Sequence, residues 1–124
     1  MNNKQNYHEL TKKFFDSMNS KEFDEIRSII HEDICFDFQG TNLLKGQKIV
    51  IIFLNALTRK YKKLTFTISE IIVENNNAIA IWTNNGQTIN GDDYSNRGVT
   101  HIRFREDKIE FLSDYFKDTS FTQG

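Results

Sequence analysis

Residues Leu64–Glu74, LTFTISEIIVE, carry the reading that decides the fold. Leu64, Phe66 and Ile68 share one parity, whereas Ile71 and Val73 share the other. A period of two marks a half-buried strand, and a slip of phase within it is what one inserted residue produces at a bulge. The stretch therefore predicts a long strand in a bent sheet. Downstream, turn-forming residues at Asn75–Asn77, Asn90–Asp93 and Glu106–Asp107 divide the chain into strands at about 64–74, 78–88, 94–105 and 108–117. Connections this short join antiparallel neighbours, so this half reads as a meander.

Upstream the period changes. Tyr7, Leu10, Phe14 and Met18 recur every three or four residues and predict an amphipathic helix at about 5–18. Asn19 and Glu22 have the spacing of a capping box for a second helix at about 20–30, with Phe23, Ile26, Ile29 and Ile30 on its apolar face. Ile34, Phe36 and Phe38 then alternate with Cys35 and Asp37, a short strand ending near Gly40. Ile49, Val50, Phe53, Leu54, Leu57 and Tyr61 form the stripe of a third helix. Helices first and a curved antiparallel sheet afterwards make an α+β layer packing, in which the sheet wraps a helix and one mouth stays open.

Length and composition narrow the function. The 124 residues suffice for one domain, residues 1–124 with a core at about 5–118. With 16 Lys and Arg against 17 Asp and Glu, the net charge of −1 supplies no field for a phosphate backbone, so nucleic acid is not an expected partner. The single cysteine, Cys35, and three scattered histidines lack metal-ligand spacing, and neither a metal nor a cofactor is expected. No apolar run approaches the roughly 20 residues of a membrane span, and the polar start lacks a signal core, which predicts a cytoplasmic protein with no membrane partner. Eleven Phe and no Pro give a large aromatic payload, enough for a core with a ligand cavity inside it.

The order of elements, the run Tyr94-Ser95-Asn96-Arg97-Gly98 and the ending Asp107-Lys108-Ile109-Glu110 … Asp114-Tyr115-Phe116-Lys117-Asp118 resemble the nuclear transport factor 2-like superfamily, specifically its SnoaL-like branch. The resemblance covers about residues 5–118. It implies a cone-shaped fold, a pocket between the concave sheet face and the helices, and a homodimer through the convex face. Because this superfamily includes isomerases, cyclases, epoxide hydrolases, dehydratases and binding modules, the reaction has to be argued from the site.

Strand parity directs Thr100 and Ile102 inward and, with the resemblance, Leu112, Asp114 and Phe116 as well. Phe14, Met18 and Phe53 from the helices, Ile81 and Thr83 from the neighbouring strand, and Tyr94 at the rim complete the expected pocket. A carboxylate among apolar groups has its charged form disfavoured, so Asp114 is the leading proton-transfer candidate. Its position also matches an acid–base aspartate of limonene epoxide hydrolase-like relatives. Asp37 falls where ketosteroid isomerase-like enzymes keep their general base, although strand parity turns it away from the buried face. Those enzymes also need oxyanion donors, and Phe14 and Thr100 stand at the donor positions. The Arg and second Asp of the epoxide hydrolase pattern fall near Ile81 and Thr83, which carry no charge. His101 is the base a SnoaL-type cyclase would use, but its parity places it outside.

Trp82, Val99, His101 and Arg103 are expected on the convex face, a mixture that fits a homodimer interface. Two functions remain open on this reading. One is a cofactor-independent isomerase, cyclase or lyase acting by acid–base chemistry on a small apolar carbonyl ligand. The other is a non-catalytic ligand-binding or association module of the same fold.

Overall fold

A computed structural model describes residues 3–118. Three helices, α1 (Asn3–Ser20), α2 (Phe23–Ile29) and α3 (Gln47–Thr58), pack on six strands: β1 (Ile30–Asp37), β2 (Leu44–Lys45), β3 (Tyr61–Glu74), β4 (Asn77–Thr88), β5 (Asp93–Arg105) and β6 (Lys108–Phe116). The sheet is open, in the order β2-β1-β6-β5-β4-β3. As the turn residues require, β3 to β6 form an antiparallel meander. Glu106 and Asp107 both take positive φ at the last hairpin, the geometry that lets a two-residue loop follow the twist of its strands.

The α+β cone is as expected, with one correction to an all-antiparallel sheet. β1 runs parallel to β6, pairing Phe36 with Leu112 and Asp37 with Ser113. A parallel neighbour needs a long crossover, and the chain from β1 through the whole meander supplies it. The phase slip in β3 is a bulge between Ile68 and Glu70 opposite Trp82 and Ile81. Further irregularities lie between Arg103 and Phe104 on β5 and near the start of β3. Gly98 belongs to the same bending: a side chain there would run into the Tyr115 carbonyl of β6, so only glycine lets the two backbones come this close.

The capping box does not form. Glu22 makes no side-chain cap for α2. Asn19 instead reaches the edge of β3, donating from Nδ2 to the Phe66 carbonyl at 2.9 Å and accepting from the Phe66 N–H at 2.8 Å. That pair of bonds imitates a strand partner and fastens the end of α1 over the inner sheet face. Between helices and sheet lies one core, in which Tyr7 stacks on Phe104 and Ile26, Ile30, Ile34, Val50 and Leu112 are fully enclosed. No helix among the described residues is long and apolar enough to cross a membrane.

Candidate functional site

The core is not filled everywhere. A cavity opens between α1, α3 and the inner faces of β1, β3, β4, β5 and β6, walled mainly by Phe14, Phe15, Phe36, Phe38, Phe66 and Phe116. The centre of a water molecule can travel through about 40 Å³ of it. That exceeds the space one ordered water needs, so the cavity takes a few waters or one compact ring.

Few polar side chains face this cavity. Asp114, Thr100 and Asn84 lie on the sheet, with Tyr61 and Tyr94 at one end. Thr100 stands directly across the ladder from Asp114 and donates its hydroxyl to Oδ1 at 2.7 Å. The Thr100 oxygen in turn accepts the indole N–H of Trp82 at 2.9 Å. An indole nitrogen only donates, so the Thr100 proton has a single useful direction, toward Asp114. Oδ1 is thereby committed as an acceptor, and any proton the carboxyl takes up belongs on Oδ2. Trp82 is fixed edge-on between Phe66 and Phe116, with centroid distances of 5.1 and 5.5 Å.

Burial raises the Asp114 pKa from 3.8 to about 7; the Thr100 hydrogen bond opposes that rise, and the negative charge of nearby Asp37 adds to it. Near neutral pH the group is thus poised between acid and base, the condition for proton transfer without a large driving-force penalty. At the other end, the Tyr61 and Tyr94 rings lie 4.9 Å apart. Burial, followed by the Tyr94 hydroxyl, pushes the Tyr61 phenol well above its ordinary value, so it stays protonated.

Of the residues expected to line the pocket, Phe14, Met18, Tyr94, Thr100, Leu112, Phe116 and Asp114 do so. Ile102 is fully buried beneath, between strands and helices. Phe53 stands behind the wall, its ring against Phe36 and Phe38 at 5.8 and 5.0 Å. Ile81 and Thr83 are a correction: the buried residues of β4 are Ala78, Ala80, Trp82 and Asn84, so Ile81 and Thr83 face outward. The same one-residue reversal moves Trp82 off the convex surface, leaving it 1% exposed beside the cavity. Asp37 is exposed and accepts from Ser113 Oγ at 3.2 Å, on the far side of the sheet from the cavity. Its influence on Asp114 is therefore electrostatic. His101 also lies outside, 2.9 Å from Asn77 Oδ1 and beside the Phe111 ring.

Asn84 escaped the sequence reading. Once Trp82 is known to face inward, the residue two positions on must follow it, and a polar side chain at that parity is the available signal.

Residues 11–111 match the SnoaL-like domain family. No curated protein sequence matches. Among solved structures, a candidate SnoaL-like polyketide cyclase from Jannaschia sp. superposes with a TM-score of 0.85 at 14% identity, over 92% of this chain and 87% of that one. An NTF2-like protein of unknown function from Burkholderia pseudomallei gives 0.85 at 15% identity, over 94% and 93% of the two chains. A limonene epoxide hydrolase-like enzyme of Mycobacterium tuberculosis gives 0.82 at 12%, over 94% and 86%. At such identities the likeness is one of fold. The inward residues of β4, Trp82 and Asn84, are as uncharged as Ile81 and Thr83, so the charged pair expected of the hydrolase pattern is missing from the true inner face as well.

Proposed function

The chain belongs to the SnoaL-like domain family, and from that membership we propose that its cone is a small-molecule pocket in which Asp114 moves a proton on a compact, largely apolar carbonyl compound without a cofactor. One observation carries this reading: a single carboxyl on an aromatic cavity wall, hydrogen-bonded on one oxygen through Trp82 and Thr100, with its pKa lifted to about 7. In the ionised state the unbonded Oδ2 takes a proton from the carbon next to the ligand carbonyl, leaving an enolate. The carboxyl proton exchanges with water, and the carboxyl then returns a proton to that carbon or to a conjugated one, so the enzyme ends as it began and the product is the starting compound or its isomer. Cyclases and lyases use the same first step. The uncharged aromatic walls lower the local dielectric and strengthen each charge–dipole contact within.

Cyclohex-3-enone is a suitable probe, because its C2 protons lie between a carbonyl and an alkene and its isomer is a conjugated enone. In D2O the wild-type protein is expected to speed deuterium entry at C2 and formation of the conjugated product, with a rate that climbs as pH passes about 7 and Asp114 ionises. Asp114→Asn keeps the shape without the base, and its rate should fall by 10²-fold or more, the usual scale of general-base catalysis. Equal rates for the two proteins by NMR would overturn the assignment. Phe14 on the cavity wall offers no donor to an enolate oxygen, which favours the second reading, a binding module. On that reading the probe binds and does not exchange.

The homodimer belongs to this proposal too, on a corrected face. Ile79, Ile81, Val99, Phe111 and Tyr115 share the outer sheet surface with His101 and Arg103, and Tyr115 is 58% exposed. Arg103 lies over the Phe111 ring at 4.8 Å and pairs with Glu110, an aromatic–arginine mixture suited to an interface. Light scattering at micromolar protein should give twice the chain mass, and Ile81→Glu with Tyr115→Glu should return it to the monomer mass. A cytoplasmic setting fits the free thiol of Cys35.

A further inference from the structure

Asn84 is 4% exposed, lines the cavity, and its Oδ1 is buried without a hydrogen-bond partner. A buried polar group left unpaired is costly, and natural proteins keep few of them, mostly where a ligand or water completes the bond. Its surroundings explain nothing away. Across the ladder Asn84 faces Phe66 on β3 and Asn96 on β5. Asn96 is committed elsewhere, donating to the Tyr94 hydroxyl and the Asp118 carbonyl and accepting the Arg97 and Asp118 N–H groups.

We propose that Asn84 is the specificity post of the cavity, and that the ligand is a ring compound carrying a hydroxyl group that donates to Asn84 Oδ1. This deepens the small-molecule reading above and rests on it. The post is separate from the proton-transfer group: Thr100, level with Asp114, pairs with Ala80, and Asn84 lies four residues further along β4, roughly 13 Å of strand rise. The hydroxyl and the carbon that loses a proton therefore lie toward opposite ends of the cavity. A hydroxyl is the group chosen because the orphaned atom is an acceptor in an otherwise aromatic wall. An ammonium or guanidinium would bring a full charge into that wall with no counter-ion beside Asn84.

Two probes of nearly equal size separate hydroxyl recognition from plain burial: 4-fluorophenol and fluorobenzene, followed by fluorine NMR titration. A purely apolar cavity prefers fluorobenzene, the less water-soluble of the two. Wild-type protein is expected to bind 4-fluorophenol at least fivefold more tightly than fluorobenzene, and Asn84→Leu, which keeps volume and removes the acceptor, should reverse the order. The melting temperature of Asn84→Leu should equal or exceed that of wild type, because an unpaired amide has gone. Should that variant not fold, Asn84→Ala takes its place, and the phenol preference should persist in Asp114→Asn, which separates the Asn84 amide from the carboxylate on the same wall. Fluorobenzene binding as well as or better than 4-fluorophenol to wild type overturns the proposal, and so does a preference that survives in Asn84→Leu; in either case the amide holds only water. Absence of binding by both probes overturns the pocket reading along with it. Loss of deuterium exchange with the phenol preference intact would instead remove the Asp114 chemistry and leave the Asn84 post standing.

Discussion

Asp114→Asn is expected to be more stable than the wild-type protein above pH 7 and close to it at pH 4. The unfolded carboxyl titrates near 3.8 and the folded one near 7. Between these values the folded protein holds the extra proton, so wild-type stability falls as pH rises through the interval and levels off above it. Below pH 4 both states are protonated and nothing is lost. Burial of the charge is the leading cause, and a rise from 3.8 to about 7 corresponds to at most about 4 kcal/mol. That is a large share of the 5–15 kcal/mol typical of a small domain. Asparagine is neutral at every pH here and still accepts the Thr100 hydroxyl, so the variant lacks this slope. Urea unfolding at pH 5 and pH 8 measures it: the wild-type midpoint should drop between the two while that of Asp114→Asn changes far less. Parallel pH dependence in both proteins would show that Asp114 is not the buried acid.

How much of this was legible in the sequence depended on whether a strand's two faces differ in chemistry. The β3 phase slip was readable because Thr65, Thr67, Ser69 and Glu70 mark the solvent side between apolar residues. In β5, Arg97, His101 and Arg103 oppose Thr100 and Ile102, and the faces came out correctly. β4 offers no such contrast: Ala78, Ile79, Ala80, Ile81 and Trp82 are all apolar, and the bulkier aliphatic pair, Ile79 and Ile81, is the one turned outward. A one-residue choice there reverses every side chain, which placed Trp82 on the surface and left Asn84 unseen. Asp37 shows the converse. Its own strand parity pointed outward, and that holds, whereas the functional position lent by the resemblance would have brought it in. The parallel seam of β1 with β6 rests on contacts about 75 residues apart in the chain, which no local pattern encodes.

Thr100→Val is expected to raise the Asp114 pKa further and to destabilise the protein. Valine matches threonine in shape but removes the hydroxyl that donates to Oδ1 and accepts from Trp82. The Thr100 bond opposes the upward push of burial, so its loss moves the carboxyl midpoint up, by roughly one unit or more if a bond to a charged group contributes about 1.5–3 kcal/mol. The indole N–H is left buried and unpaired at an added cost of about 1–3 kcal/mol, present at all pH values. Trp82→Phe separates the two effects: it drops the N–H, retains an aromatic ring between Phe66 and Phe116, and leaves the Thr100–Asp114 bond in place. Its Asp114 midpoint should therefore move much less than that of Thr100→Val. Carboxyl-carbon NMR titration reads both midpoints directly. On the proton-transfer reading, the pH at which exchange on cyclohex-3-enone reaches half its maximum must follow the carboxyl midpoint upward in Thr100→Val. An unmoved midpoint would mean that the hydroxyl does not hold the carboxyl, and a midpoint that moves without the rate profile would separate Asp114 from the exchange.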